Sequence, residues 1–279
     1  KGGGGGKRKY VPNKSSAAAV PHGTKGFFIT CQGGWESRTA RDVIEALKET
    51  WEKLAPAAEK PAEKKPADSV AAALEAELAE LKEEGETPLF KRIESGGING
   101  ILFVTQNKDI EGPSPSELAQ SLLQKIVDTK TKVCRAGMRM LPVENTCYAG
   151  MEDIKKFIVP LIEKYLPKGE GVKGSTFSVM YEKRANDSLD RMEVINAVAD
   201  LVPEPHKVDL TNPELTVVVQ VVKSVCCLSV VRKYNELCKY NLTTAAMTAE
   251  EREANFPSVP GGGVKGVPNE QVVEDAKKP

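Results

Sequence analysis

At 279 residues and 40% hydrophobic content, the chain is long enough for one large or two small domains with a buried core. Lys plus Arg balances Asp plus Glu at 39 each, so net charge does not announce a nucleic-acid binder and charge distribution has to decide. Six scattered cysteines without a C-x-x-C pair, and only two histidines (His22 and His206), argue against a zinc site.

Residues 1–24 are Gly-rich, basic and then Ala/Pro-rich, and are expected to be disordered. The first 26 residues hold Lys1, Lys7, Arg8, Lys9, Lys14 and Lys25 with no acid. Gly2 to Gly6 is not a phosphate loop, because no strand precedes it and no Gly-Lys-Ser/Thr follows. Lys1 rather than Met at the start fits a fragment or a processed form, and no apolar segment near it reads as a secretory signal. Reduced thiols in a nuclear or cytosolic setting follow as the expectation.

Gly26-Phe27-Phe28-Ile29-Thr30-Cys31 reads as a strand bounded by glycines. An amphipathic helix follows, with Ala40, Val43, Ile44, Leu47, Trp51 and Leu54 on one face and Thr39-x-x-Asp42 as its expected capping box. Residues 55–67 form a Pro/Ala/Lys/Glu linker, and Val70, Leu74, Leu78 and Leu81 align on a second helix within an acidic stretch. Gly100-Ile101-Leu102-Phe103-Val104 is the next strand, which completes a small α/β unit over 25–111.

A new unit is expected from Gly112. Ser114-Pro115-Ser116-Glu117 opens a helix with Leu118, Leu122 and Ile126 on its face. Residues 130–139 are a basic connector and 138–142 a strand. Ile154, Phe157, Ile158, Leu161 and Tyr165 mark a helix that Pro160 should kink or divide. Residues 175–184 alternate as a strand, and Val194, Ile195, Val198 and Leu201 mark another helix. Residues 215–222 and 225–231 are apolar on both faces, as in strands inside a sheet, with Lys223-Ser224 as the reversal. The whole run is broken by Gln220, Lys223 and Ser224 and is too short and polar to span a bilayer. From 243 onward a polar, disordered tail is expected.

Three segments resemble the THUMP domain: Arg139-Met140-Leu141-Pro142, Lys207-Val208-Asp209-Leu210-Thr211-Asn212-Pro213-Glu214, and the run from Val217 to Val231. With Lys239-Tyr240-Asn241-Leu242, the last segment is similar to the eukaryotic THUMP domain-containing proteins that assist tRNA acetylation. The similarity reaches back, more weakly, to Gly26-Phe27-Phe28-Ile29-Thr30-Cys31 and Ile93-Glu94-Ser95-Gly96-Gly97, covering about residues 25–242. The resemblance implies an α/β (α+β) fold: an N-terminal ferredoxin-like unit, then a THUMP domain over 112–242; the tails at 1–24 and 243–279 are unmatched, and their expected disorder rests on composition. It also implies a non-catalytic adaptor without a cofactor of its own. Such an adaptor presents tRNA to an RNA cytidine acetyltransferase, which uses acetyl-CoA and ATP. The product is N4-acetylcytidine in the D-arm of serine and leucine tRNAs. A monomer without a membrane contact is expected, in the nucleus or nucleolus and also the cytoplasm, with Lys7-Arg8-Lys9 as part of a nuclear signal.

The candidate RNA contacts centre on 183–191. Lys183 and Arg184 end a strand, Asn186 and Asp187 make a turn, and Arg191 lies in the first turn of a helix. A cation there opposes the helix dipole, whereas a bound phosphate would meet free amides and three cations together. A solvated loop with ordinary surface charges is the alternative. Arg135 and Arg139 belong to a second basic strip, and Lys207 and Lys223 flank the matched segments as phosphate contacts or exposed turn residues. Cys226 and Cys227 read as small core residues and His206 as a loop cap. Asn212-Pro213 lacks the following Pro and aromatic of an amino-methyltransferase motif, and Ser95-Gly96-Gly97 lacks the acid and Ser of a thiouridine-synthetase loop. The competing reading is a THUMP-linked methyltransferase or sulfurtransferase without its catalytic domain.

Overall fold

A computed structural model of the chain describes residues 20–55, 88–93, 98–169 and 171–255. The helix expected at 68–84, the linker after Ala55, Lys7-Arg8-Lys9 and the Ser95-Gly96-Gly97 segment lie outside the described residues.

The first unit is β1 (Gly26–Cys31), α1 (Glu36–Leu54), β2 (Phe90–Ile93), β3 (Ile101–Gln106), α2 (Pro115–Thr129) and β4 (Gly137–Val143). Its sheet runs β2-β3-β1-β4 with antiparallel neighbours, the βαββαβ arrangement of a ferredoxin-like fold. Helix α1 buries Ala40, Val43, Leu47 and Trp51, the stripe its sequence spacing predicts. It begins at Glu36, so Thr39 is buried within the helix and is not a cap. Its start is tied instead by the Glu36 carboxylate, which accepts from the Gly100 amide at 2.7 Å. Helix α2 has the expected capping box: Ser114 Oγ accepts from the Glu117 amide, and Glu117 Oε2 accepts from the Ser114 amide at 2.8 Å.

The sequence assigns 115–129 and 138–142 to the second unit, whereas the structure places the helix against the first unit's core and the strand in its sheet. Strand β1 is central and needs a partner on each edge; β3 takes one and β4 the other, with Phe28 opposite both Phe103 and Leu141. The Leu118, Leu122 and Ile126 face of α2 completes that unit's core.

The second unit is β5 (Asn145–Tyr148), α3 (Met151–Tyr165), β6 (Thr176–Arg184), α4 (Arg191–Ala199), β7 (Lys207–Val208), β8 (Leu215–Val222) and β9 (Val225–Arg232), with sheet order β5-β9-β8-β6-β7. Strand β8 pairs antiparallel with β9 and parallel with β6. All eight residues of β8 are buried because both faces are covered. Leu215, Val217, Val219, Val221, Cys226, Leu228 and Val230 share a core with α3 and α4. Val218, Val222, Val225, Cys227 and Val231 point the other way and join the core of the first unit. Pro160 does not divide α3, which runs unbroken from Met151 to Tyr165; a proline there removes a single helix N–H.

The chain then returns to the first unit. Residues expected to open a disordered tail form α5 (Leu242–Ala246) and α6 (Ala249–Asn255). Leu242, Ala245 and Ala246 are buried there, and Asn241 caps α5 by accepting from the Thr243 and Thr244 amides. At the other terminus, Val20 is buried and the Gly23 amide donates to Thr146 O, so ordered structure starts before residue 25.

Candidate nucleic-acid interface

The 183–191 segment joins the end of β6 to α4. Its cations are partly committed to the protein itself. Lys183 Nζ donates to Leu189 O at 3.2 Å, and Arg191 Nη1 donates to Tyr181 O at 2.9 Å. The helix N-terminus already has an anion. Asp190 is its N-cap, and its carboxylate accepts from the Met192 amide at 2.8 Å and the Glu193 amide at 3.0 Å. These bonds, that from Glu193 first, hold the Asp190 carboxyl below its ordinary pKa. The phosphate expected at this helix start would therefore have to displace Asp190. Sequence reasoning saw the cations but not that the residue between them fills the amide site.

The outward part of the cluster is a corner. Arg184 is exposed at the last position of β6, and Lys223 is exposed in the β8–β9 turn with φ 52°. The Lys223 amide donates to Arg184 O at 2.9 Å, and Asn186 Nδ2 donates to Lys223 O at 2.8 Å. Parallel pairing of β6 with β8 sets Arg184 opposite Val222, which carries the Arg184 and Lys223 side chains to one rim of the sheet.

The other candidates lie elsewhere. Lys207 pairs with Thr176 at the opposite end of β6, about 26 Å away along the strand. Arg139 is not an outward contact: its guanidinium donates to the Glu182 carboxylate, with the two side chains only 12% and 21% exposed. This pair ties β4 of the first unit to β6 of the second. Arg135 lies in the first unit, its guanidinium carbon 5.4 Å from the centroid of the Trp35 ring, while Arg38 reaches the same ring at 5.6 Å. Trp35 and Arg38 were missed in the sequence; an aromatic after Gly33-Gly34 with an arginine three residues on was the available signal.

The cysteines at 31, 134, 147, 226 and 227 are buried. Burial pushes the Cys134 thiol up to about 11 and that of Cys227 up to about 12. Cys226 is raised by its hydrogen bond with Cys147 and by burial. His206 holds loops: its Nδ1 accepts from the Ser175 amide and its Nε2 meets Pro167 O. Among the described residues, no group of three or more His, Cys, Asp or Glu is placed to hold a metal, and no helix is long and apolar enough to cross a membrane.

Residues 148–231 match the THUMP domain, which coincides with the second unit from the end of β5 through β9. The chain is 34% identical to THUMP domain-containing protein 1 of Bos taurus, over 89% of this chain and 73% of that protein. It is 38% identical to the protein of the same name from Mus musculus, over 67% of this chain; the match spans 52% of the mouse protein. It is 25% identical to the "tRNA acetyltransferase TAN1" of Saccharomyces cerevisiae, over 80% of this chain and 86% of that one. With the fold, the matched unit and the bovine identity together, the chain belongs to the THUMP domain-containing protein family.

Proposed function

We propose that the chain is a tRNA-binding adaptor that presents tRNA to an RNA cytidine acetyltransferase. The observation that carries this reading is the Arg184–Asn186–Lys223 corner, set on the rim of the THUMP sheet by one backbone bond and one from the Asn186 side-chain amide. Cations held on a rigid sheet end suit phosphates of a folded RNA and carry little sequence information. The name of the yeast relative links this architecture to tRNA acetylation. In this reading the partner performs the transfer from acetyl-CoA with ATP. Formation of N4-acetylcytidine in the D-arm of serine and leucine tRNAs, in the nucleus or nucleolus, belongs to the same proposal.

The yeast relative's name also favours a second reading, in which this chain transfers the acetyl group itself. Incubating purified chain, tRNA, acetyl-CoA and ATP separates the two: acetylcytidine formed without the partner overturns the adaptor. For binding, the Arg184→Glu/Lys223→Glu double variant should weaken tRNA affinity and lower the slope of log K against log salt by about one to two. Unchanged affinity across several salt concentrations would remove the corner from the interface. Nucleoside mass spectrometry of tRNA from cells lacking the protein should show loss of N4-acetylcytidine with other modifications intact.

A further inference from the structure

The Trp35 region is a second constellation that the THUMP match does not cover. The turn at 32–35 precedes α1, with Gly34 at φ 84°, a conformation in which glycine is favoured. The turn is pinned on both flanks. The Gln32 amide donates to Ala136 O at 3.0 Å, which fixes it to the connector carrying Arg135. Glu36, the next residue after Trp35, accepts from the Gly100 amide ahead of β3. Trp35 is half-buried, whereas Arg38 and Arg135 are both exposed. The two guanidiniums come from segments far apart in sequence, yet both lie within 6 Å of one indole ring. Arg41, Lys48 and Arg92 continue the positive charge around an open depression beside α1, which Ser37 and Glu45 also line.

We propose that Trp35, with Arg38 and Arg135, forms a stacking platform for an unpaired nucleobase of the bound RNA. The inference rests on the RNA-binding reading above and adds to it a contact on the first unit. An indole offers a flat, sequence-tolerant face for a base. Both guanidiniums lie over that ring, so a base would enter between the indole and one of them, the arginine then serving as a second stacking plane and as a cation for the phosphate of the same nucleotide. A base inside a duplex already has its faces covered, so the platform selects single-stranded or flipped-out nucleotides.

The experiment uses the whole chain and two probes, a short single-stranded uridine oligonucleotide and a blunt-ended RNA hairpin with a tight loop. Only two tryptophans exist, Trp35 and the core residue Trp51, so emission reports the platform against a constant background. The single strand should quench the emission saturably and the hairpin should quench it much less. Trp35→Ala should abolish the quench and weaken single-strand binding about tenfold. Trp35→Tyr should recover most of that affinity, which a merely structural tryptophan would not require. Arg38→Ala/Arg135→Ala should weaken the single strand more than the hairpin. If the wild-type chain binds tRNA but shows no quench, or Trp35→Ala binds both probes as the wild type does, the platform is overturned and the THUMP corner stands. If the wild-type chain binds no RNA, both readings fall. Should Trp35→Ala fail to fold, the wild-type quench and the Trp35→Tyr affinity still decide.

Discussion

Arg139 and the cysteines are the residues whose roles depend most on what surrounds them. Arg139 stands in a segment that resembles the THUMP domain, but its charge faces Glu182 across the junction of the two units. Removing one member of a largely buried pair leaves the other charge uncompensated, at a cost of roughly 2–4 kcal/mol. Arg139→Ala should therefore lower the urea midpoint clearly while leaving the salt slope of tRNA binding unchanged. A variant of wild-type stability with a smaller slope would return Arg139 to the RNA interface. No spacing rule in the sequence could have paired 139 with 182, because the contact exists only once β4 and β6 are placed by different sheets. The thiols allow a second residue-level test. Cys238 is half-buried with Arg252 Nη1 3.3 Å from its sulfur, whereas burial raises the thiol pKa values of Cys134 and Cys227 and contributes to that of Cys226. Iodoacetamide at pH 8 should label Cys238 first and those three only on unfolding, as mass spectrometry of the labelled peptides would reveal.

Elements that carry their own instructions were legible, and those held by neighbours were not. The stripe Leu118, Leu122 and Ile126 and the Ser114/Glu117 box define α2 without tertiary help. Loss of that box through Ser114→Ala should cost about 1 kcal/mol, read as a shift in the denaturation midpoint. Its pH dependence has a definite sign. The Ser114 amide, and then its hydroxyl, hold the Glu117 carboxyl below its ordinary pKa. A depressed folded-state pKa contributes stability that is present above the unfolded value, roughly 4.3, and is lost as pH falls through the folded one. The stability difference between wild type and Glu117→Gln should therefore shrink as the solution is acidified below about pH 4. In contrast, β2 and β5 have four residues each, and α5 has five. Such lengths give no periodicity to read. They persist because β3, β9 and the first-unit core receive them, which is also why the tail expected from 243 was misjudged. The candidate site divides the same way. The Arg184 and Lys223 positions follow from strand ends visible in the sequence, while the Asp190 cap and the gathering of Arg38 and Arg135 at Trp35 depend on backbone geometry.

At the scale of the whole molecule, the continuous apolar run in β8 and β9 implies a fold whose units cannot separate. Alternate residues serve α3 and α4 on one face and the first unit on the other. Detaching the first unit would expose Val218, Val222, Val225, Cys227 and Val231. At roughly 1.5–3 kcal/mol for each large aliphatic side chain, exposing the four valines costs about 6–12 kcal/mol. That is comparable to the entire stability of a typical domain, about 5–15 kcal/mol. Polar links reinforce the junction: buried Glu144, between β4 and β5, accepts from the Ser116 amide and from the Tyr165 hydroxyl at 3.3 Å each, joining α2 to α3. The two units should therefore unfold as one. Both tryptophans lie in the first unit, so their emission reports it alone, whereas alkylation of Cys226 reports the core of the second. The two probes should give coincident urea midpoints, and Val218→Asp, at the shared face, should lower both together. An emission transition that precedes Cys226 exposure would mean that the second unit survives without the first. The Trp35 ring would then lose its folded surroundings while the rim carrying Arg184 persisted. Coincident transitions instead mean that the rim and the Trp35 ring belong to one cooperative body; on the proposed reading, an RNA's dimensions, more than its sequence, would then decide whether it can reach the two at once.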